Sequence, residues 1–233
     1  MRKLIQGIVE FRERLRPQYA DRFRRLSEGQ APDTLFIACS DSRVVPELIV
    51  STDPGELFVT RNVGNMVPPS TVDGMSTGDL SEGSALEFSL LVLQVQNFIV
   101  CGHSECGAMK AAVSRAPLPE APNLNHWLHN CSSALFRLAQ EGPLNRDLPP
   151  HDQLSQLNVL VQLEHLMSYP LVRERVYAGK LQLSGWWFDI ANAEMLSYER
   201  QSRSFERIDR QSAERLIERI DQAAAAASGT VSQ

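Results

Sequence analysis

The sequence of 233 residues lacks the features that mark several classes of protein. No apolar run reaches the roughly 20 residues that a membrane-spanning helix requires, so we expect no membrane partner. Basic residues number 23 against 28 acidic ones, which gives a net charge of −5. Because the basic residues are also scattered rather than clustered, we expect no nucleic-acid partner.

Cysteine is also scarce, with only four residues in the chain. The N-terminal residues Met1-Arg2-Lys3-Leu4-Ile5-Gln6 soon run into charge and form no apolar export core. We therefore expect a cytoplasmic protein. In a reducing compartment, cysteines more often bind metal or take part in catalysis than form a framework of disulfides.

What the sequence does contain is an alternation of short apolar runs and helical patterns. The apolar runs that read as strands are 35–38, 56–60, 98–101 and 181–190, with a further edge strand at 193–199. Helical patterns cover 85–95, 124–140, 151–168 and 170–178, and a long ordered loop covers 64–84. This alternation predicts an α/β fold with a mostly parallel central β-sheet flanked by helices.

The two ends of the chain carry helical patterns of their own. Residues 1–28 form an N-terminal helical arm in which Pro17 separates two short helices. We assign this arm and the sheet to one catalytic domain over residues 1–200. Residues 201–233 read as a C-terminal amphipathic helix with a low-complexity, frayed tail; its apolar stripe is Phe205, Ile208, Leu216, Ile217 and Ile220.

The most informative stretch is Phe98-Ile99-Val100-Cys101-Gly102-His103-Ser104-Glu105-Cys106-Gly107. His103 and Cys106 lie where a buried strand ends and a helix begins, which is the edge where open α/β sheets bind ligands. Cys39 ends another apolar run and is a candidate third ligand if the two strands are neighbours. Two thiolates and one imidazole would make a tetrahedral zinc site of the catalytic kind, with its fourth position open.

Longer motifs extend this pattern. Cys39 opens the string Cys39-Ser40-Asp41-Ser42-Arg43, and a turn and strand follow as Asp53-Pro54-Gly55-Glu56-Leu57-Phe58-Val59 with Arg61-Asn62. With the stretch around His103, these motifs resemble the β-class carbonic anhydrases in order over about residues 28–190. The resemblance implies a zinc lyase that interconverts carbon dioxide and bicarbonate through attack of zinc-bound hydroxide on carbon dioxide. It also implies a homodimer or a higher homo-oligomer such as a tetramer, with active sites at the dimer interface.

The resemblance also implies roles for residues beyond the metal ligands Cys39, His103 and Cys106. Asp41 accepts the proton of the hydroxide and is oriented by Arg43 through a bidentate pair. The substrate-binding positions that match the family are Gln30, Phe58, Val63, Phe88 and Gly107. At Phe88 the family usually has tyrosine, so a hydroxyl group is missing from the pocket.

A further departure concerns regulation. The bicarbonate-gated branch of the family carries tryptophan, glycine and tyrosine where this chain has Phe36, Ala38 and Phe188. Without the indole N–H and the phenol, the non-catalytic bicarbonate site of that branch loses its donors. We therefore interpret the chain as a plant-like, ungated member, in which Asp41 pairs with Arg43 and does not ligate the metal.

Two other functions are compatible with the same ligands. One is hydrolysis of another small linear molecule, such as carbon disulfide or carbonyl sulfide, on the same scaffold. The other is a zinc-stabilised binding module without activity, which would leave Gln30 and the Asp41–Arg43 pair without a purpose. We interpret Cys101 and Cys131 as buried core residues, His126 and His129 as solvated, and His165 as a packing residue.

Overall fold

The computed structural model describes residues 1–116 and 119–229. Its centre is a six-stranded sheet with the order β2-β1-β3-β4-β5-β6. Strands β1 to β4 are parallel, and β5 and β6 are added antiparallel. The strands are β1 Thr34–Cys39, β2 Leu57–Asn62, β3 Asn97–His103, β4 Gln182–Asp189, β5 Glu194–Glu199 and β6 Ser204–Arg207. The prediction of a mostly parallel sheet flanked by helices is confirmed.

Ten α-helices are present in the described part of the chain. They are α1 Arg2–Glu10, α2 Arg16–Leu26, α3 Pro46–Ile49, α4 Leu80–Leu91, α5 Gly107–Ser114, α6 Pro122–Trp127, α7 Ser132–Glu141, α8 Pro150–Ser168, α9 Pro170–Tyr177 and α10 Arg210–Gly229. Proline in the first turn begins α8 and α9, where its missing N–H costs no helical hydrogen bond. None of the helices in these ranges combines the length and apolar character that a bilayer crossing requires.

The alternation of side chains along β1 divides the core between the two faces of the sheet. Leu35 and Ile37 point to one face, where they pack with residues of α4, α8 and α9. Phe36 and Ala38 point to the other face, into a smaller apolar cluster with Phe188. Since every residue of β1 is buried, this strand has the continuous apolar pattern of a central parallel strand.

The structure differs from the sequence-based prediction in the N-terminal arm and in the predicted helices of the body. Pro17 does not break the arm, because a π-helical turn over Phe11–Leu15 joins α1 to α2. Proline has no N–H to donate, and the wider π-helical turn before it lets the helix continue without that hydrogen bond.

Two helices of the body also differ from the prediction. The helix predicted at 85–95 lies earlier, as α4, and the helix predicted at 124–140 is divided into α6, a 3₁₀ turn over Leu128–Cys131 and α7.

The C-terminal region also differs. Phe205 lies in β6 and not in a helix, because it pairs with Tyr198 of β5 and their rings lie 5.4 Å apart. Strand β5 is therefore internal, and β6 is the edge. The predicted frayed tail covers 223–233, but helix α10 continues along the backbone through the first part of it, to Gly229; residues 230–233 lie outside the described residues.

Helix α8 crosses the sheet directly over two glycines. A Cβ atom at Gly102 would lie 2.7 Å from Cγ2 of Val159, and one at Gly185 would lie 2.9 Å from Cγ1 of the same residue. The glycines in β3 and β4 therefore let α8 approach the sheet backbone closely. This contact matters for the site because β3 ends at His103, immediately after Gly102.

The close packing leads to a prediction for Gly102→Ala. The added methyl group must displace Val159, and overpacking of this kind destabilises a core by about 1–3 kcal/mol. Urea unfolding should therefore give a lower free energy of unfolding for this variant. Gly29→Ala is the matched control because a Cβ atom there meets nothing within 4 Å. Equal stability of the two variants would contradict the packing described here.

Candidate metal centre

The candidate metal ligands meet at the carboxyl edge of the sheet. Cys39 ends β1, His103 ends β3, and the two strands pair in parallel. Cys106 lies one turn further along the chain, immediately before α5. The sulfur atoms of the two cysteines and one ring nitrogen of His103 lie within 4.8 Å of one another, and all three residues are buried.

The orientation of the His103 ring fits a metal ligand. Its Nδ1 lies 2.8 Å from the carbonyl oxygen of Ser104, which can only accept, so Nδ1 carries the proton. The other nitrogen, Nε2, is buried and has no hydrogen-bond partner among the described residues. Because a buried nitrogen lone pair without a partner is costly, this atom requires a cation or a proton donor in front of it.

The two thiols point to the same conclusion. The hydrogen bond from Cys106 lowers the pKa of Cys39, and the same contact raises the pKa of Cys106, since two thiolates this close repel each other. The backbone N–H of Gly64 also donates to the sulfur of Cys39 at 3.3 Å. A divalent cation between the sulfurs would allow both to ionise. Two thiolates and one imidazole form a donor set for a soft or borderline divalent metal.

Asp41 and Arg43 form the predicted bidentate pair beside this cluster. Nε of Arg43 donates to Oδ1 of Asp41 at 2.9 Å, and Nη2 donates to Oδ2 at 2.8 Å. These bonds hold the pKa of Asp41 well below its usual range. The Oδ2 atom lies 4.0 Å from Nε2 of His103, so an ionised carboxylate faces the ligand cluster without entering it.

Two of the five predicted substrate residues lie next to the cluster. Val63 follows β2, is 44% exposed, and directly precedes Gly64, the donor to Cys39. Gly107 follows Cys106 at the start of α5, and a Cβ atom there would meet nothing within 4 Å. These two positions border the open side of the cluster.

The other three predicted substrate residues lie away from the cluster of their own chain. Gln30 is exposed and precedes β1, whose first residue, Thr34, already lies about 17 Å from Cys39 by the rise along five residues, so Gln30 lies towards the opposite edge of the sheet. Phe58 pairs with Leu35, four residues before the register position of Cys39, which corresponds to about 13 Å. Phe88 of α4 packs on Phe58 with ring centroids 5.7 Å apart and is 42% exposed.

The remaining cysteines match their interpretation as core residues. Cys101 and Cys131 are fully buried. Burial raises the pKa of Cys101 to about 12 and that of Cys131 to about 11, so both remain neutral thiols.

The histidines outside the cluster also match their interpretation. His126 and His129 are exposed on adjacent turns. His165 uses Nδ1 to donate to the carbonyl oxygen of Val67 at 2.8 Å, as expected of a packing histidine.

Several residues that hold the site were not identified from the sequence. Arg61 donates through Nε to the carbonyl oxygen of Cys39 at 3.0 Å and through Nη2 to that of Asp41 at 2.7 Å. Asp152, Ser155 and Asn158 are buried polar residues on α8. Their regular spacing of three residues, which places them along one side of the helix, is a signal that was present in the sequence.

Comparison with known proteins gives a consistent result. Residues 34–195 match the family model described as carbonic anhydrase. A carbonic anhydrase of Synechococcus elongatus is 40% identical over 207 residues, covering 87% of this chain and 73% of that protein. One of Pseudomonas aeruginosa is 40% identical over 206 residues, covering 88% and 90%.

Solved structures give the same picture. The β-carbonic anhydrase CcaA has a TM-score of 0.81 and 37% identity, and the match covers 89% of this chain and 99% of that one. A structure from a study of two tetrameric β-carbonic anhydrases of Sordaria macrospora has a TM-score of 0.72 and 28% identity, with 84% and 95% covered.

The ligand assignment predicts the metal content of purified variants. The native chain should carry about one divalent metal ion, measured by inductively coupled plasma mass spectrometry, and Cys39→Ala or Cys106→Ala should lose most of it. Cys131→Ala is the matched control, since this cysteine is equally buried but lies outside the cluster. Full metal content in the Cys39→Ala protein would rule out the assignment.

Proposed function

The chain belongs to the β-class carbonic anhydrases, and we propose that the ion held by Cys39, His103 and Cys106 is zinc. As a member of this family of lyases, it catalyses the reversible hydration of carbon dioxide to bicarbonate and a proton. The single observation that carries the proposal is the buried set of two sulfurs and one unpartnered imidazole nitrogen within 4.8 Å. This set with one open position is typical of catalytic zinc.

The protein's own groups prepare this site for water chemistry. When bound, zinc lowers the pKa of water towards neutrality and so supplies a nucleophile without strong base. Two thiolates neutralise much of the charge of the ion, which makes a nearby proton acceptor more important. Asp41 meets this need because Arg43 keeps its carboxylate ionised and aimed at the cluster, 4.0 Å from Nε2 of His103.

Arg43 has a second role in the proposal. Both carboxylate oxygens of Asp41 accept hydrogen bonds from the guanidinium group, whose Nη2 also donates to the carbonyl oxygen of Glu105 at 3.1 Å. A carboxylate held at both oxygens faces the ligand cluster but does not swing into it to become a ligand. We therefore propose that the fourth ligand position stays open in the resting protein.

Three buried apolar residues, which replace the donors of the bicarbonate-gated branch, support an enzyme that bicarbonate does not gate. Phe36, Ala38 and Phe188 lie together in one apolar cluster, and each is at most 7% exposed. A bicarbonate ion at this position would lose its hydration without gaining donors from these three side chains. Bicarbonate should therefore act as an ordinary product.

The substrate residues that lie far from the cluster suggest a site shared between two copies. Gln30 and Phe58 cannot reach the ligand cluster of their own chain. Phe58 belongs to the edge strand β2 and forms an aromatic pair with Phe88 of α4. The N-terminal arm also exposes Leu4 and Ile8 by 66% and 68%. Exposed apolar side chains of this kind favour burial against a second copy. We place Gln30, Phe58 and Phe88 in the site of the partner, within a homodimer or tetramer.

We also propose that the protein is located in the cytoplasm. All four cysteines are free and buried. The ligand cysteines need to stay reduced to bind metal, which suits the cytoplasm.

Asp41→Ala tests the proton acceptor. Stopped-flow assays with dissolved carbon dioxide should show a loss of about 10²-fold or more, as is typical when an acid–base or orienting group is removed. Zinc content should stay at the level of the native protein. Asp73→Ala, in the exposed loop before α4, is the control and should retain activity. If the native protein turns over carbonyl sulfide but not carbon dioxide, the proposed activity is wrong.

Mixed dimers test the shared site. In a dimer of Asp41→Ala with Gln30→Ala, one site carries both lesions and the other carries neither if Gln30 acts on the partner. Random assortment should then restore about a quarter of the native activity, because half of the dimers are mixed and each has one intact site. If Gln30 acts within its own chain, every site keeps one lesion and the mixture stays as inactive as the separate variants.

A further inference from the structure

We propose that Asp152, Ser155 and Asn158, on one face of α8, are positioning residues that hold the peptides of the metal centre. This inference rests on the zinc site proposed above. The three residues are spaced three apart, so they lie along one side of the helix. Their exposed fractions are 4%, 1% and 1%. Each makes a hydrogen bond to a different backbone group next to a metal ligand.

Asp152 holds the turn between two ligands. Its Oδ1 accepts the backbone N–H of Glu105 at 2.6 Å. Glu105 lies between His103 and Cys106 and has a φ of +59°, a left-handed conformation that is unfavourable for a residue with a side chain. Conformations of this kind persist where neighbouring groups enforce them. The turn brings the imidazole and the second thiolate to the same point.

Ser155 holds the carbonyl group of His103 itself. Its Oγ donates to this oxygen at 2.8 Å and accepts from Nε1 of Trp187 at 3.1 Å. Because an indole N–H can only donate, it directs the serine proton towards His103. The end of β3, and with it the direction of the imidazole, is therefore fixed by α8.

Asn158 reaches the third ligand through one residue, Gly64. Its Nδ2 donates to the carbonyl oxygen of Gly64 at 3.1 Å, and the N–H of Gly64 donates to the sulfur of Cys39 at 3.3 Å. The amide of Asn158 is itself oriented by Nε2 of Gln162, which donates to Oδ1 at 2.9 Å. Asn158 thus places the donor that faces the Cys39 thiolate.

All three positioning residues belong to a single helix, α8. Helix α8 has 19 residues and packs against β3, which ends at His103, and against α5, which begins after Cys106, so its polar face keeps a fixed distance to these two ligand-bearing segments. Partners of this kind keep ligands in place when the metal is absent and restrain them when it is bound. Their loss should therefore accelerate release of the metal before it affects the fold.

The rate of zinc release to a chromophoric chelator tests this role, and Ser155→Ala with Ser168→Ala is a matched pair. Ser168 is also on α8, and its Oγ accepts the N–H of Ser70 at 2.8 Å, far along the loop from the ligands. Ser155→Ala should release zinc about 10- to 100-fold faster than the native protein. Ser168→Ala should release it at the native rate, even if thermal unfolding shows equal destabilisation. Equal release rates for the two variants would overturn the proposal.

Asp152 offers a second pair that separates positioning from a general loss of stability. Asp152→Asn keeps an oxygen that accepts the N–H of Glu105, whereas Asp152→Ala does not. The first should keep near-native zinc release and the second should release zinc about 10- to 100-fold faster. Cobalt-substituted proteins provide an independent measurement, because the thiolate-to-metal absorption bands report ligand geometry. Native bands in both Asp152→Ala and Ser155→Ala would contradict a positioning role, whereas absence of zinc from the native protein would refute the zinc site itself.

Discussion

The parallel pairing of β1 with β3 is the constraint on which the site depends. Because the two strands run in the same direction and are neighbours, their carboxyl ends bring Cys39 and His103 to one edge of the sheet. Cys106 then needs only a single turn of chain to join them. The buried, apolar character of these strands makes a shift in their register costly, since a shift of one residue would move every side chain to the other face.

Charge explains much of the remaining organisation. The two buried sulfurs lie so close that their contact lowers the pKa of Cys39 and raises that of Cys106, and a cation between them would allow both to ionise. The same cation would satisfy the lone pair of His103. Asp41 adds a further negative charge nearby, and Arg43 balances it while keeping the carboxylate directed at the cluster. With a cation bound, the metal, the carboxylate and the guanidinium group would form an alternating series of charges, each stabilised by its neighbours.

The polar face of α8 and the edge strand β2 contribute to different parts of the site. Asp152, Ser155 and Asn158 fix the backbone that carries the ligands. The edge strand β2 and the N-terminal arm instead present apolar side chains outwards. The ligand cluster is therefore complete within one chain, and we propose that a second copy covers its outer side.

The sequence alone determined the α/β class and predicted the three candidate metal ligands and the Asp41–Arg43 pair, because apolar runs end at these motifs. It did not reveal β6 or the π-helical turn before Pro17, since pairing with Tyr198 and the continuity of the arm depend on neighbouring chain segments. Only the tertiary structure decided that Asn158 reaches Cys39 through Gly64, and that Gln30 lies at the opposite edge of the sheet. The physical reason is that side-chain chemistry can be read from local patterns, whereas hydrogen bonds between residues nearly a hundred positions apart exist only after the chain has folded.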